Sequence, residues 1–341
     1  MTTSTVSVKK VNPVLIVAIL LALAGIGVWV YQLIVGMQAT GLSQQIVWGL
    51  YISAFFTAVG AGAALLALTG VSEFVPLFQA TNRARNLCLA LSSFIIGAML
   101  IALDVGNPLN IWRVMTAFQL SSWMTWDFWL LVIAGVVALV YLLVARNNRT
   151  QKVLGILGIL AGIAVVVVEG WMLSSQAARP MWGSGMTVAT FLLGAAIAGL
   201  SIALIAGLGG EAVPSWLKIA LGLSLVLVLV EVLTSLVGSG EEAGLILTGF
   251  ISPAFWLQVI VGLLAPIVLL VLKKFGWLAG ILALFGVLTE KVWVLAAGTS
   301  IPWMPGPQGI YSPSLVEIVA VIGMVAIGVL IYRLLILIFK V

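Results

Sequence analysis

Ten predominantly apolar runs, each about twenty residues long, follow one another along this chain with short polar breaks between them. They cover roughly 14–36, 47–70, 87–106, 125–145, 153–175, 187–208, 217–239, 254–272, 276–299 and 315–338. A helix rises 1.5 Å per residue, so about 20 apolar residues cross a hydrocarbon core ~30 Å thick. Lipid offers the backbone no hydrogen bonds, so only helices or closed barrels can span it. The runs lack the roughly ten-residue alternating segments of a barrel. The sequence therefore predicts an all-α integral membrane protein with ten transmembrane helices. Composition agrees: 63% of the 341 residues are hydrophobic and 7% charged, against about 45–50% and 25% in soluble domains. A signal peptide competes for the first run. That run is 23 residues long with no small-x-small site after it, so it is read as a retained helix.

Charge placement sets the expected orientation. Twelve of the fifteen basic residues fall on the side of the N-terminus, leaving Arg113, Arg179 and Lys291 on the other. By the positive-inside rule both termini are cytoplasmic. The basic balance, pI about 9.5, is then an orientation signal and not a nucleic-acid surface. The acids run the other way. Glu73 and Glu211 sit in inner loops, and the other eight lie in outer halves of helices or outer loops: Asp104, Asp127, Glu169, Glu231, Glu241, Glu242, Glu290 and Glu317. Intramembrane acids are costly and usually face a bundle interior, a cavity or a partner charge. For Asp127 and Glu317, at helix ends, an interfacial position reaching water competes equally.

Several chemistries are excluded at once. One cysteine, Cys88, allows no intrachain disulfide or cysteine-held cluster, and the absence of histidine removes the usual haem b ligand. No metal site is expected. The glycines in VGAGAAL (59–65) lie mid-span with no strand before them, so they form a small-residue packing face and not a nucleotide loop. The outer connections are more distinctive than the inner ones. GNPLNIWRVMTAFQLSSW follows Asp104, SSQAARPMWGSGM follows the helix of Glu169, and SIPWMPGPQGIYSPS carries four prolines and no charge. Rigid Pro/Trp loops of this kind cap a bundle or present a docking surface.

Four segments carry a family resemblance. WGLYISAFFTAVGAGAALLAL (48–68), ALDVGNPLNIW (102–112), EGWMLSSQAARPMWGSG (169–185) and IYSPSLVEIVAVIG (310–323) resemble, in order, motifs of the NrfD/PsrC family, the membrane subunits of polysulfide-reductase-like complexes. Departures stand beside the matches. Asn107 replaces an arginine usual in the family, Val168 stands where many members carry a tyrosine, and Gly49 follows the first tryptophan.

The resemblance implies two four-helix bundles, 47–175 and 187–299, with peripheral first and last helices in 1–46 and 315–341. It implies a subunit of an anaerobic respiratory oxidoreductase in a prokaryotic cell membrane, exchanging electrons between quinone or menaquinone and a ferredoxin-like iron–sulfur subunit on the outer face. A molybdopterin-type catalytic subunit would complete the complex. Asp104 and Glu169 become proton acceptors, and Trp48, Tyr51, Arg113, Arg179 and Trp182 quinone contacts. The two arginines alternatively pair those acids or anchor headgroups. Glu231, Glu290 and Lys291 form a second polar cluster, read most simply as a neutralised ion pair. Two other classes fit parts of the sequence. A ten-helix secondary transporter accounts for 36 glycines and buried acids, though not for acids gathered near one face. A structural anchor needs the outer loops but not the acids.

Overall fold

A computed structural model describes residues 13–78, 80–116, 118–145, 151–176, 179, 182–183, 185–237, 250–300 and 311–341. Ten helices are long and apolar enough to span a membrane. They are α1 (Pro13–Val35), α2 (Leu50–Val71), α3 (Ala80–Asp104), α4 (Trp123–Ala145) and α5 (Lys152–Ser174), then α6 (Gly185–Ile205), α7 (Ala212–Val237), α8 (Pro253–Val271), α9 (Gly276–Ser300) and α10 (Leu315–Phe339). No strand occurs among the described residues. Trp303, Glu241, Glu242, Lys9, Lys10, Arg146 and Arg149 lie outside them. With ten successive spans, the start of α1 and the end of α10 share one face, called here the terminal face. The opposite one is the far face.

Helix packing closes two rings. In one, α2, α3, α4 and α5 each touch their neighbours, and in the other α6, α7, α8 and α9 do. The rings meet through α2 against α6 and α9 and through α5 against α6, while α1 lies on α10, which packs on α3. The three most buried spans, α2, α3 and α9, are also the three least hydropathic. Lipid-facing surface must be apolar, whereas a helix enclosed by others tolerates glycine and hydroxyl residues. On α2, Ser53 and Thr57 bond back to carbonyls four residues earlier, at 2.8 Å in both cases. Small residues set the close approaches. Gly60 meets Ala195 of α6 and Gly62 meets Phe94 of α3, while Gly25 packs against Gly323 and Gly262 against Gly286.

Helix ends are fixed by local chemistry. Ser314 caps α10 in a reciprocal box with Glu317, satisfying two of the free amides of its first turn. Ser252 caps α8, whose first residue is Pro253. Within α8 the turns widen to a π-helix over Leu257–Leu264, just before Pro266, which has no amide proton to give the ladder. Both α3 and α7 begin earlier than their apolar runs. The start of α3 is polar and belongs to a buried cluster at the terminal face. There Glu73, 8% exposed, meets Arg83 Nη1 at 3.1 Å, accepts from the Tyr141 hydroxyl at 2.6 Å and accepts from the Gln151 amide at 3.1 Å. From sequence Glu73 is expected in an inner loop, open to water. Its three donors explain why burial is tolerated.

Candidate functional site

The far end of α2 is the most densely connected polar region. Tyr51 is fully buried, and its hydroxyl donates to Gln32 Oε1 of α1 at 2.6 Å. Gln32 Nε2 in turn donates to the Leu103 carbonyl at 2.9 Å, next to Asp104. Asp104 closes α3, with Oδ1 buried and accepting no hydrogen bond among the described residues. Tyr51 lies within electrostatic range of both Glu317 and Asp104. Glu317 is fully buried and accepts from three donors: the Gly41 amide at 2.8 Å, the Ser314 amide at 2.9 Å and the Tyr311 hydroxyl at 2.8 Å. Tyr311 also accepts from the Leu50 amide at 2.6 Å. Burial first, then the adjoining Glu317 carboxylate, raises the Tyr311 phenol well above its ordinary pKa, so it remains a donor at any physiological pH.

This network gives the Tyr-Ser-Pro-Ser-Leu-Val-Glu segment (311–317) a physical meaning. It ties the start of α10 to the loop before α2 and to the first amide of α2. It also explains one family departure. A Cβ on Gly49 would stand 2.5 Å from the Tyr311 hydroxyl, so there is no room for a side chain there.

The two tryptophans expected from sequence to line the site do meet. Trp48 and Trp182 stack with centroids 5.5 Å apart and 19° between planes. Trp182 is held from the other ring, donating Nε1 to the Val294 carbonyl at 2.8 Å and lying against Gly298. Part of Trp48 is therefore covered by protein, and the pair joins the two rings at the far face. Arg179 donates to the carbonyls of Gly298 and Thr299 at 3.2 and 3.3 Å, where a cation complements the negative end of α9. Arg113 is exposed, its guanidinium 6.0 Å from the ring of neighbouring Trp112. Among the described residues both Glu169 oxygens and Asp104 Oδ1 accept no hydrogen bond, so Glu169 is not paired with either arginine.

The candidate acids fall into separate clusters. Glu169, 1% exposed, lies within range of Asp127 and Lys291. Asp127 is 7% exposed and its Oδ1 is unpartnered, under a Trp123–Trp171 stack with centroids 5.4 Å apart that bridges α4 and α5. Asp127 and Glu317 are thus buried and do not reach the interface. Lys291 Nζ meets Glu290 Oε1 at 2.8 Å. Glu290 and Glu231 line a cavity of about 30 Å³ together with Ser224 and Gln258. Gln32 was missed from sequence. Its signal was a lone amide inside a 23-residue apolar helix, where an unpaired polar group is costly. Among the described residues no group of histidine, cysteine or acids is arranged to hold a metal.

Fold and site define a polytopic α-helical membrane protein whose buried acids gather toward the face away from its termini. Glu73, buried at the terminal face, is the exception. The sequence matches the family "Polysulphide reductase, NrfD" over residues 38–302, and the chain belongs to that family. Two relatives align along nearly their whole length. A putative membrane subunit of dimethyl sulfoxide reductase from Halobacterium salinarum is 26% identical over 92% of this chain and 87% of its own. An Hdr-like menaquinol oxidoreductase integral membrane subunit of Archaeoglobus fulgidus is 28% identical over 93% of this chain and 90% of its own.

Proposed function

We propose that this chain is the quinone-interacting membrane subunit of a respiratory oxidoreductase. The observation that carries the reading is the Gln32–Tyr51–Asp104 cluster: a buried hydroxyl and amide already bonded to each other, beside a carboxyl oxygen with no partner. A quinol hydroxyl placed there meets an acceptor in Asp104 and hydrogen-bonding groups in Tyr51 and Gln32. Oxidation of the quinol releases two protons and two electrons. Asp104 takes the first proton as general base and passes it to water at the far face before taking the second, and both electrons leave to an iron–sulfur subunit docked on that face. Reduction of a quinone runs the same steps in reverse. Glu317 already accepts three hydrogen bonds and acts by holding the cluster's shape. The names of the relatives support this assignment, and that of the Archaeoglobus protein favours a menaquinol.

In this reading the far face is the outer face, both termini are cytoplasmic, and a molybdopterin-type subunit lies beyond the iron–sulfur one. The rings α2–α5 and α6–α9 are the two bundles of the subunit, and the quinone enters beside the first. Trp48 contributes the ring face left by Trp182, and Arg113 contributes to the docking surface. The test uses the purified complex in vesicles. Asp104→Asn should slow quinol oxidation about 10-fold or more, as expected on removing a general base. A photoreactive quinone analogue should label the segments around Gln32, Tyr51 and Asp104. An unchanged rate together with labelling elsewhere would refute the site. Solute flux through the subunit reconstituted without partners would refute the class.

A further inference from the structure

Away from Tyr51 and Asp104, the far halves of the spanning helices hold, among the described residues, four acids and one base: Asp127 of α4, Glu169 of α5, Glu231 of α7, and Glu290 and Lys291 of α9. Lys291 is 2% exposed. Its ammonium touches Glu290 at 2.8 Å and also sits 3.4 Å from the centroid of the Phe191 ring on α6, a cation–π contact. Phe191 reaches back to α5, its Cβ lying 3.3 Å from where a Cβ on Gly170 would be. Phe191 thus packs against both Lys291 and the helix turn that carries Glu169.

Among the described residues Glu169 has no hydrogen-bond donor for either oxygen. The charges acting on it there are Asp127 and Lys291, so among those residues Lys291 is the cation that a charged Glu169 feels. The helices packed on α9 add none: α2 contributes only Tyr51 as a titratable group, and α6 and α8 contribute no ionisable side chain. On the other flank Glu290 and Glu231 share the cavity of about 30 Å³ with Thr187, Thr190, Ser224 and Gln258. A water needs about 10–15 Å³ and several polar partners, and both conditions are met. The π-helical turns of α8 carry Gln258 at this cavity, where its Oε1 accepts from Trp293 Nε1 at 2.5 Å. Such turns recur at functional sites.

We propose that Glu290 and Glu231, with their hydrated cavity, form a second proton-binding site, coupled to Glu169 by Lys291. Two carboxyls compete for one ammonium. While Glu169 is protonated, Lys291 neutralises Glu290. When Glu169 gives up its proton, the ammonium turns across the Phe191 face toward the new carboxylate. Glu290, left beside Glu231 without its counter-ion, takes up one proton through the cavity water. One proton leaves and one arrives, so the buried charge is the same before and after the exchange. No proton crosses Phe191. The movement of the lysine carries the coupling between the two rings.

The quinone reading enters only in what drives Glu169, so the test is made without quinone. Infrared difference spectra of the purified complex are recorded across a pH jump, and the Glu290 carboxyl band is assigned by its loss in Glu290→Gln. Glu169→Gln is expected to shift that band in the otherwise native protein and to leave it unmoved in Lys291→Met. Lys291→Arg, which keeps a cation, retains the shift. A Glu290 band indifferent to Glu169→Gln overturns the coupling, whether or not Lys291→Met assembles. A shift that survives Lys291→Met overturns the role of the lysine. Quinol turnover failing while these shifts hold would sink the quinone site alone.

Discussion

Breaking the Tyr51–Gln32 contact from either side has a cost that can be worked from the geometry. Both residues are buried, at 0% and 2% exposure, and the hydroxyl meets the amide oxygen at 2.6 Å. Tyr51→Phe leaves Gln32 Oε1 without that donor. Gln32→Leu leaves the Tyr51 hydroxyl and also the Leu103 carbonyl without their partner. A buried polar group stripped of its partner costs about 1–3 kcal/mol. Each single variant should therefore lose stability by about that amount, Gln32→Leu the more. The double variant removes both members of the bond, so its loss should fall short of the sum by about 1–2 kcal/mol. That coupling lies toward the upper end of side-chain bonds measured in membrane proteins, about 0.6 on average and 1.7 at most. Full burial and the short contact justify the high placing. Equilibrium unfolding of the purified protein in mixed detergent micelles measures the cycle. Losses that add to within about 0.3–0.5 kcal/mol, the tolerance for independent sites, would refute the pairing and with it the arrangement of the candidate site.

Gly298→Ala places a methyl group against the Trp182 indole. The variant should lower the thermal midpoint by an amount equivalent to about 1–3 kcal/mol of overpacking and alter the tryptophan fluorescence, whereas the same change at Gly27, which has open space, should do neither. Ser314→Ala removes the cap of α10 and should cost about 1 kcal/mol in the same unfolding assay. Cross-linkers placed at Trp112 on the far-face connection should capture an iron–sulfur partner, and capture from the Lys273–Lys274 turn instead would reverse the proposed orientation.

Hydropathy alone carried the helix count, because a span must be long and apolar whatever packs beside it. It did not carry the helix starts. The polar beginning of α3 reads as loop until Arg83 finds Glu73, a contact between segments that no periodicity links. Asp104, Glu169 and Lys291 were legible as candidates because any charge at depth is conspicuous. Their partners were not. The arginines nearest in sequence suggested pairing with the acids, yet Arg179 turns to carbonyls of α9, some 120 positions away. Asp127 and Glu317 lie at helix ends, where sequence cannot distinguish a side chain reaching water from one turned inward. Helix rotation decides that, and Trp123 against Trp171 fixes it for Asp127. Gln32 was overlooked for the opposite reason: it is uncharged, and one amide barely lowers the hydropathy of its helix.

The enclosure of α2 bears on how the chain is made. This helix is the most buried span and one of the least hydropathic, so lipid alone is a poor environment for Ser53, Thr57 and the glycines it carries. Its contacts include α6 and α9, with Gly60 against Ala195. Residue 195 is synthesised 135 positions after residue 60, which at about 5–20 residues per second is roughly 7–27 s. Over that interval α2 has only α1 and then α3–α5 for cover. Its Ser53 and Thr57 hydroxyls, bonded back to their own helix, need no partner while it waits. The side facing α6 is closed only when the second ring begins to insert, so the two halves of the protein mature as one unit even though each ring closes on itself.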